Sequence, residues 1–341
     1  MRKSLFITLF LFLALSFSLS VRNALAQTEG SSGFDGNQST VGQLNINVSP
    51  SAPGPLINVT LMATNFAQDL TKSDITWSVN GVQKERGVGR SSFTFTNGPI
   101  GSVTRVHFRA VTLSGDRVEK DLTFRPASVE ILWEADSYTP ETYAGKALAS
   151  SEAGVKFIAL PYFIDNGTRL PAANLYYQWQ VNFEPASGLS GIGKNVFSTR
   201  GPNIFGESTL TLRVSTLDGR IIAKGAVVLR AFPPETLFYV EDPLAGPNYA
   251  HPIFKNFNLT DAEMTIRGEA FFLARSHKPL YRWSLSGKSA TADEQNPKLL
   301  TLRQGSESGS ANINLSVSDP FNALVTSARS IIIKFNGVGG I

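Results

Sequence analysis

The 341-residue sequence predicts an all-β chain built from three β-sandwich modules in tandem. Two observations carry that prediction. Three of the four tryptophans, Trp77, Trp179 and Trp283, stand 102 and 104 residues apart, each inside a stretch of alternating apolar and polar residues. Turn-forming Gly, Pro, Asn and Asp interrupt the chain at intervals of about 8 to 12 residues, and no helical period runs through it. A long repeat with strand-like alternation in every copy reads as one structural unit used three times. Length agrees, because domains of about 100 residues bury enough surface to fold by core packing, and the chain has no cysteine.

Taken in order, the first element is a leader. Residues 1–26 open with Arg2 and Lys3, continue in an apolar run from Leu5 to Leu19, and end on Ala24-Leu25-Ala26. A positive start, an apolar run and a small-residue site are the order of a secretory signal peptide. Retention as a membrane anchor is the other reading, although the run falls short of the roughly 20 residues that span a bilayer. Residues 27–41 are small and polar and read as a flexible linker. The modules follow at 42–126, 127–232 and 233–336, and 337–341 forms a tail. No second apolar run of leader length follows, so the sequence predicts an exported chain with no stable membrane span after cleavage.

Within each module, alternation defines the strands. The segments "DITWSVNG", "LYYQWQVN" and "LYRWSLSG" put Ile75, Trp77 and Val79, then Tyr177, Trp179 and Val181, then Tyr281, Trp283 and Leu285 on one face. A period of two marks a half-buried strand with that face inward; Tyr176 falls on the outward face. Upstream, an alternating strand ends near Phe66, Phe163 and Phe272. Downstream, 33 to 35 residues after each tryptophan, Ala110, Val214 and Val317 occupy equivalent positions on a strand that enters a tight turn. Ser114-Gly115, Asp218-Gly219 and Asp319-Pro320 supply the turn chemistry. Burying an indole removes about 200 Å² from water, worth several kcal/mol at about 25 cal/mol per Å². Trp77, Trp179 and Trp283 are therefore expected as core plugs rather than as a ligand platform.

A tryptophan on the third strand, followed by an alternating strand and a hairpin, resembles immunoglobulin-like domains. The cysteine-free "WSVNG" and "WSLSG" segments look most like the PKD-type modules of bacterial surface proteins. The resemblance covers residues 42–336 in three copies. Absent are the two cysteines of antibody domains, the tyrosine two residues before the second, and the "FGDG" of many PKD modules. What the resemblance implies is a sandwich fold in an exported bacterial surface protein.

Charge and chemistry narrow the function. The leader holds 3 of the 31 basic residues and no acid, leaving 28 basic against 27 acidic residues in the rest. The pI near 9.2 is thus mostly a property of the leader, and the clustered basic face of a nucleic-acid binder is not indicated. His107, His251 and His277 lie far apart without metal-ligand spacing. "GSESG" at 305–309 has Glu307 where a nucleophile elbow needs serine. No cofactor is expected. Glu134 with Asp136, and Glu241 with Asp242, follow the module junctions and are candidate calcium ligands; calcium takes 6–8 oxygens, and solvated loop charge is the alternative. The glycine-rich segment 184–208 is where partner contact is expected, with Lys194, Asn195 and Phe197 as the candidate residues.

The leading expectation is a non-enzymatic structural spacer or protein-interaction and adhesion module at the cell surface. The alternative is a carbohydrate-binding or accessory module using Tyr138, Tyr143, Phe205 and Tyr249 as exposed rings. An enzyme with a site between domains is the third reading. The partner is a protein or a cell-surface polymer, and oligomeric state is left open.

Overall fold

A computed structural model describes residues 44–337. The expected leader (1–26), the linker (27–41) and residues 338–341 of the tail lie outside the described residues. Among those described, strands dominate, and helix is confined to three single 3₁₀ turns at Leu70–Lys72, Ala172–Asn174 and Ser187–Leu189. No helix among them is long and apolar enough to cross a membrane.

Each copy folds into two facing layers. In the first, Leu44–Ser49, Asn58–Asn65 and Ser92–Thr96 form one antiparallel sheet. Val82–Val88, Asp74–Val79, Thr104–Val111 and Arg117–Phe124 form the other, in that spatial order. The second copy sets Ser128–Ala135, Gly154–Tyr162 and Val196–Arg200 against Tyr176–Val181, Glu207–Ser215 and Ile222–Arg230. The third sets Glu235–Asp242, Glu263–Phe271 and Leu299–Arg303 against Leu280–Leu285, Gly309–Ser318 and Thr326–Phe335. Asn256–Leu259 adds to the last of these in parallel. One layer that pairs strands preceding the tryptophan strand with one that follows it, facing a second layer that carries the tryptophan, is an immunoglobulin-like sandwich.

Alternation decides what the layers enclose. Trp77, Trp179 and Trp283 are 0, 1 and 3 % exposed, and each lies in the buried cluster of its own sandwich. They pair across the ladder with Phe108, Leu212 and Leu315. Two residues earlier, Ile75, Tyr177 and Tyr281 pair with Ala110, Val214 and Val317, the positions equated from spacing. Phe66 departs from its expected equivalence. Its strand stops at Asn65 and its ring is exposed, whereas Phe163 and Phe272 are buried.

The indole N–H is satisfied the same way three times. Trp77 Nε1 donates to the Arg90 carbonyl at 2.9 Å, Trp179 Nε1 to Lys194 at 2.8 Å, and Trp283 Nε1 to Pro297 at 2.9 Å. Each acceptor lies two residues before the strand that closes the opposite layer. An unpaired buried donor costs about 1–3 kcal/mol, so this bond ties the layers together as well as filling the core.

Candidate functional site

Part of the segment expected to meet a partner serves the core. Residues 184–208 are not one loop, because they contain the strand Val196–Arg200, which pairs with Gly154–Tyr162. Phe197 holds an inward position on that strand opposite Phe157. Its ring is buried, 5.4 Å from that of Trp179 and 6.0 Å from that of Phe157. The expectation for Phe197 is thereby corrected: it is a core residue. Lys194 contributes its carbonyl to the indole, and Asn195 accepts from the Ala159 N–H at 2.8 Å while its side chain stays half-buried.

A short repeat carries this arrangement: "GVGRSSF" at 87–93 and "GIGKNVF" at 191–197. Phe93 stacks on Trp77 at 5.4 Å, and Phe197 meets Trp179 at the same distance with its ring tilted by 32°. The second glycine of each, Gly89 and Gly193, sits at φ +71° and +68°. A Cβ there would lie 2.7 Å from the Thr71 carbonyl oxygen and 3.1 Å from that of Ala173. Glycine meets both the backbone conformation and the close approach. This repeat was the available sign that Phe197 points inward.

The four candidate calcium ligands are engaged by protein groups. Glu134 pairs with Lys156 at 3.1 Å and Asp136 with Arg275 at 3.6 Å. Glu241 takes Arg267 in a two-pronged contact at 2.6 and 2.8 Å. Asp242 accepts the N–H groups of Leu244 and Ala245, both at 2.8 Å, and these bonds hold its pKa below the ordinary value. Among the described residues, no group of three or more Asp, Glu or His is placed to hold a metal ion.

Two of the rings expected to be exposed converge on one carboxylate. Tyr138 and Tyr249 are half-buried, and their hydroxyls donate to Glu269 Oε2 at 2.9 Å and Oε1 at 3.1 Å. Glu269 is fully buried. Lys298 Nζ donates to Glu269 Oε2 and to the Tyr138 hydroxyl, both at 2.9 Å, and Arg267 Nη1 reaches Glu269 Oε1 at 3.2 Å. Two carboxylates, Glu269 and Glu241, thus face two cations, Arg267 and Lys298, as buried charge requires. Burial first, then the Glu269 charge, raises the pKa of both tyrosines. Both hydroxyls therefore stay protonated donors at neutral pH.

This cluster lies where the second sandwich meets the third. The Tyr138 N–H donates to Leu273 O and the Phe272 N–H to Tyr138 O, both at 2.7 Å. Arg275 N–H adds a bond to Asp136 O at 3.1 Å. Beside these, Tyr239, Phe271 and Phe272 form a small apolar core with Leu148, Leu237 and Tyr249. Tyr143 stands edge-on to Phe271 and Phe272 at 5.7 and 5.9 Å. Phe205 alone of the four expected rings is largely exposed. Tyr138, Tyr249, Arg267 and Lys298 all donate to Glu269, so the arrangement positions chain segments. Glu269, Arg267 and Lys298 were not anticipated from the sequence, and Tyr138, Tyr249 and Glu241 were expected there in other roles, because the groups that meet are far apart in the chain, Tyr138 and Glu269 by 131 residues.

No family model matches the sequence, and no curated protein matches it. Among solved structures the chain is similar to the central fibronectin-III array of RIM-binding protein, at 12% identity and a TM-score of 0.28, over 89% of this chain and 100% of that one. It is similar to immunoglobulin domains 1–5 of Sidekick-1, at 12% identity and a TM-score of 0.30, over 86% and 60%. It is also similar to fibronectin(III)-like modules of Clostridium thermocellum CbhA, at 10% identity and a TM-score of 0.25, over 55% and 94%. The assignment of fold rests on the chain's own strand order and cores: it is an all-β tandem of immunoglobulin-like sandwiches.

Proposed function

We propose that this is an exported, non-enzymatic surface protein whose sandwiches act as a spacer and present an interaction face to a protein or a surface polymer. The observation that carries the reading is the junction between the second and third sandwiches. Domains in one chain move relative to each other by default unless their interface is large and apolar. Here backbone bonds and an apolar cluster cross the junction, and the Tyr138 hydroxyl of the second sandwich joins the buried ion network of the third. A spacer needs such a junction, because it must transmit position rather than bend. Export is supported by residues 1–26, whose order of charge, apolar run and Ala-Leu-Ala is that of a secretory leader. A sugar platform built on Tyr138 and Tyr249 is disfavoured, since both hydroxyls are engaged by Glu269.

Two measurements test the reading. Fractionation and protease shaving of the native host should find the chain outside the cytoplasm; a purely cytoplasmic pool would remove the proposal of export. Spin labels at the exposed positions Val228 and Leu324, one in each sandwich, should give a single narrow distance distribution. A broad distribution would sink the spacer.

A further inference from the structure

The second sandwich breaks its own pattern at the turn that follows the tryptophan strand. In all three copies that strand leaves through two residues at positive φ: Asn80-Gly81 at +51° and +81°, Asn182-Phe183 at +50° and +68°, and Ser286-Gly287 at +47° and +82°. Two consecutive positive φ values make a type I′ hairpin turn, whose second position favours glycine because a side chain there is strained. The first and third copies comply. The second places a phenylalanine at the strained position and leaves it 76 % exposed. Core packing does not explain that choice, and strain held at an exposed residue points toward function.

Phe183 lines a groove of about 700 Å³ on the outer face of the sheet. The outward side of the tryptophan strand supplies Tyr176, Gln178 and Gln180, and the neighbouring strands supply Arg213 and Lys224. Among the described residues the lining holds two cations and no carboxylate, and Lys224 Nζ also donates to the Ser51 hydroxyl at 2.9 Å. Gln178 Oε1 accepts from Arg213 at 2.8 Å, and Gln180 Oε1 accepts from the Thr211 hydroxyl at 3.1 Å. Each amide is held by its oxygen, leaving its NH₂ group as a donor. Tyr176 and the turn bearing Phe183 stand at opposite ends of Tyr176–Val181, a span of roughly 20 Å at 3.3 Å per residue. That length suits an oligomeric ligand.

The backbone of this strand is closed to an added peptide. It is paired on one side with Glu207–Ser215 and on the other with Glu184–Pro185 and Gly191–Ile192, so recognition falls to side chains. Exposed aromatic faces, electron-rich at their centre, meet the polarised C–H face of a sugar ring. Amide donors meet hydroxyls, and an unpaired-for-acid pair of cations meets anionic substituents. We propose that this groove binds an anionic polysaccharide, a chain of sugars carrying carboxylate or sulfate groups. The proposal does not depend on the fixed junction, so either can fail alone.

The test is calorimetric titration of the full chain with an oligogalacturonate, a sulfated dextran oligomer, a neutral cello-oligosaccharide of equal length, and a polyglutamate peptide. At least one anionic saccharide should bind, more weakly as salt rises, and the neutral chain should bind at least tenfold more weakly. Preference between the two anionic probes then identifies the charged group. Phe183→Gly should raise the melting temperature and weaken saccharide binding at least tenfold, which separates lost contact from lost fold. Arg213→Gln should weaken the anionic saccharide at least tenfold. Equal binding of the neutral chain, preference for polyglutamate, unchanged binding by Phe183→Gly, or no binding of either anionic saccharide would overturn the proposal.

Discussion

Tyr138→Phe removes one oxygen from the junction between the second and third sandwiches. That oxygen donates to Glu269 Oε2 and accepts from Lys298 Nζ, each at 2.9 Å. A hydrogen bond to a charged group contributes about 1.5–3 kcal/mol. The loss should fall at the low end, about 1.5–2 kcal/mol, because Glu269 keeps Tyr249, Arg267 and Lys298 as donors. The ring also stays beneath Lys298, whose Nζ lies 4.2 Å from its centroid. Glu269→Gln is the larger perturbation. It takes a buried negative charge from between two largely buried cations, and breaking such a set costs about 3–5 kcal/mol. The lower figure applies, since Arg267 retains Glu241.

If the hydroxyl works through Glu269, the double variant should cost about 1 kcal/mol less than the summed single losses. Scanning calorimetry of the full chain measures that coupling. Hydrogen exchange localises it: the Tyr138 and Phe272 amides, which bond across the junction, should exchange about tenfold faster in Tyr138→Phe, as 1.4 kcal/mol implies. The Phe108 amide in the first sandwich should be unaffected. Strict additivity, or unchanged exchange at Phe272, would refute the reasoning.

Other outcomes follow from the same geometry. Phe197→Ala should cost about 3–5 kcal/mol, as truncation of a buried aromatic does; near-neutral thermal denaturation would restore Phe197 to the surface. Gly219, at φ +70° with open space around it, and Gly193, at +68° against the Ala173 carbonyl, share a strained backbone but not a crowded one. Ala at Gly219 should cost about 1 kcal/mol and at Gly193 at least about twice that, compared by chemical denaturation. Burial pushes the Tyr177 and Tyr281 hydroxyls up to about 12 from an ordinary 10.0. The folded state thus keeps protons that the unfolded state releases near 10, so this stabilisation is complete below pH 10 and is lost as pH rises toward 12. Circular dichroism and tyrosinate absorbance followed together should change in one cooperative step across that window; full ionisation of these tyrosines with the fold intact would contradict it.

How much was legible depends on the range over which each feature is encoded. The face of a strand is a matter of period two, so the inward set Ile75, Trp77 and Tyr177, Trp179 could be read from a few consecutive residues. The three copies, their tryptophan plugs and the equivalence of Ala110, Val214 and Val317 came from that period together with the regular spacing of the copies, because each sandwich must bury the same stripe to persist without disulfides. The inwardness of Phe197 was also written locally, in the glycine repeat shared with 87–93, but glycine-rich composition resembles a loop until the strand it enters is paired. The Glu269 cluster had no such local record. Arg267 and Lys298 are polar residues of ordinary appearance that meet Glu269 only when the third sandwich closes, and Tyr138 joins them only when the second sandwich is set against it. Burial there converts distant charges into one balanced group, and no pattern along the chain specifies which distant residue will be opposite.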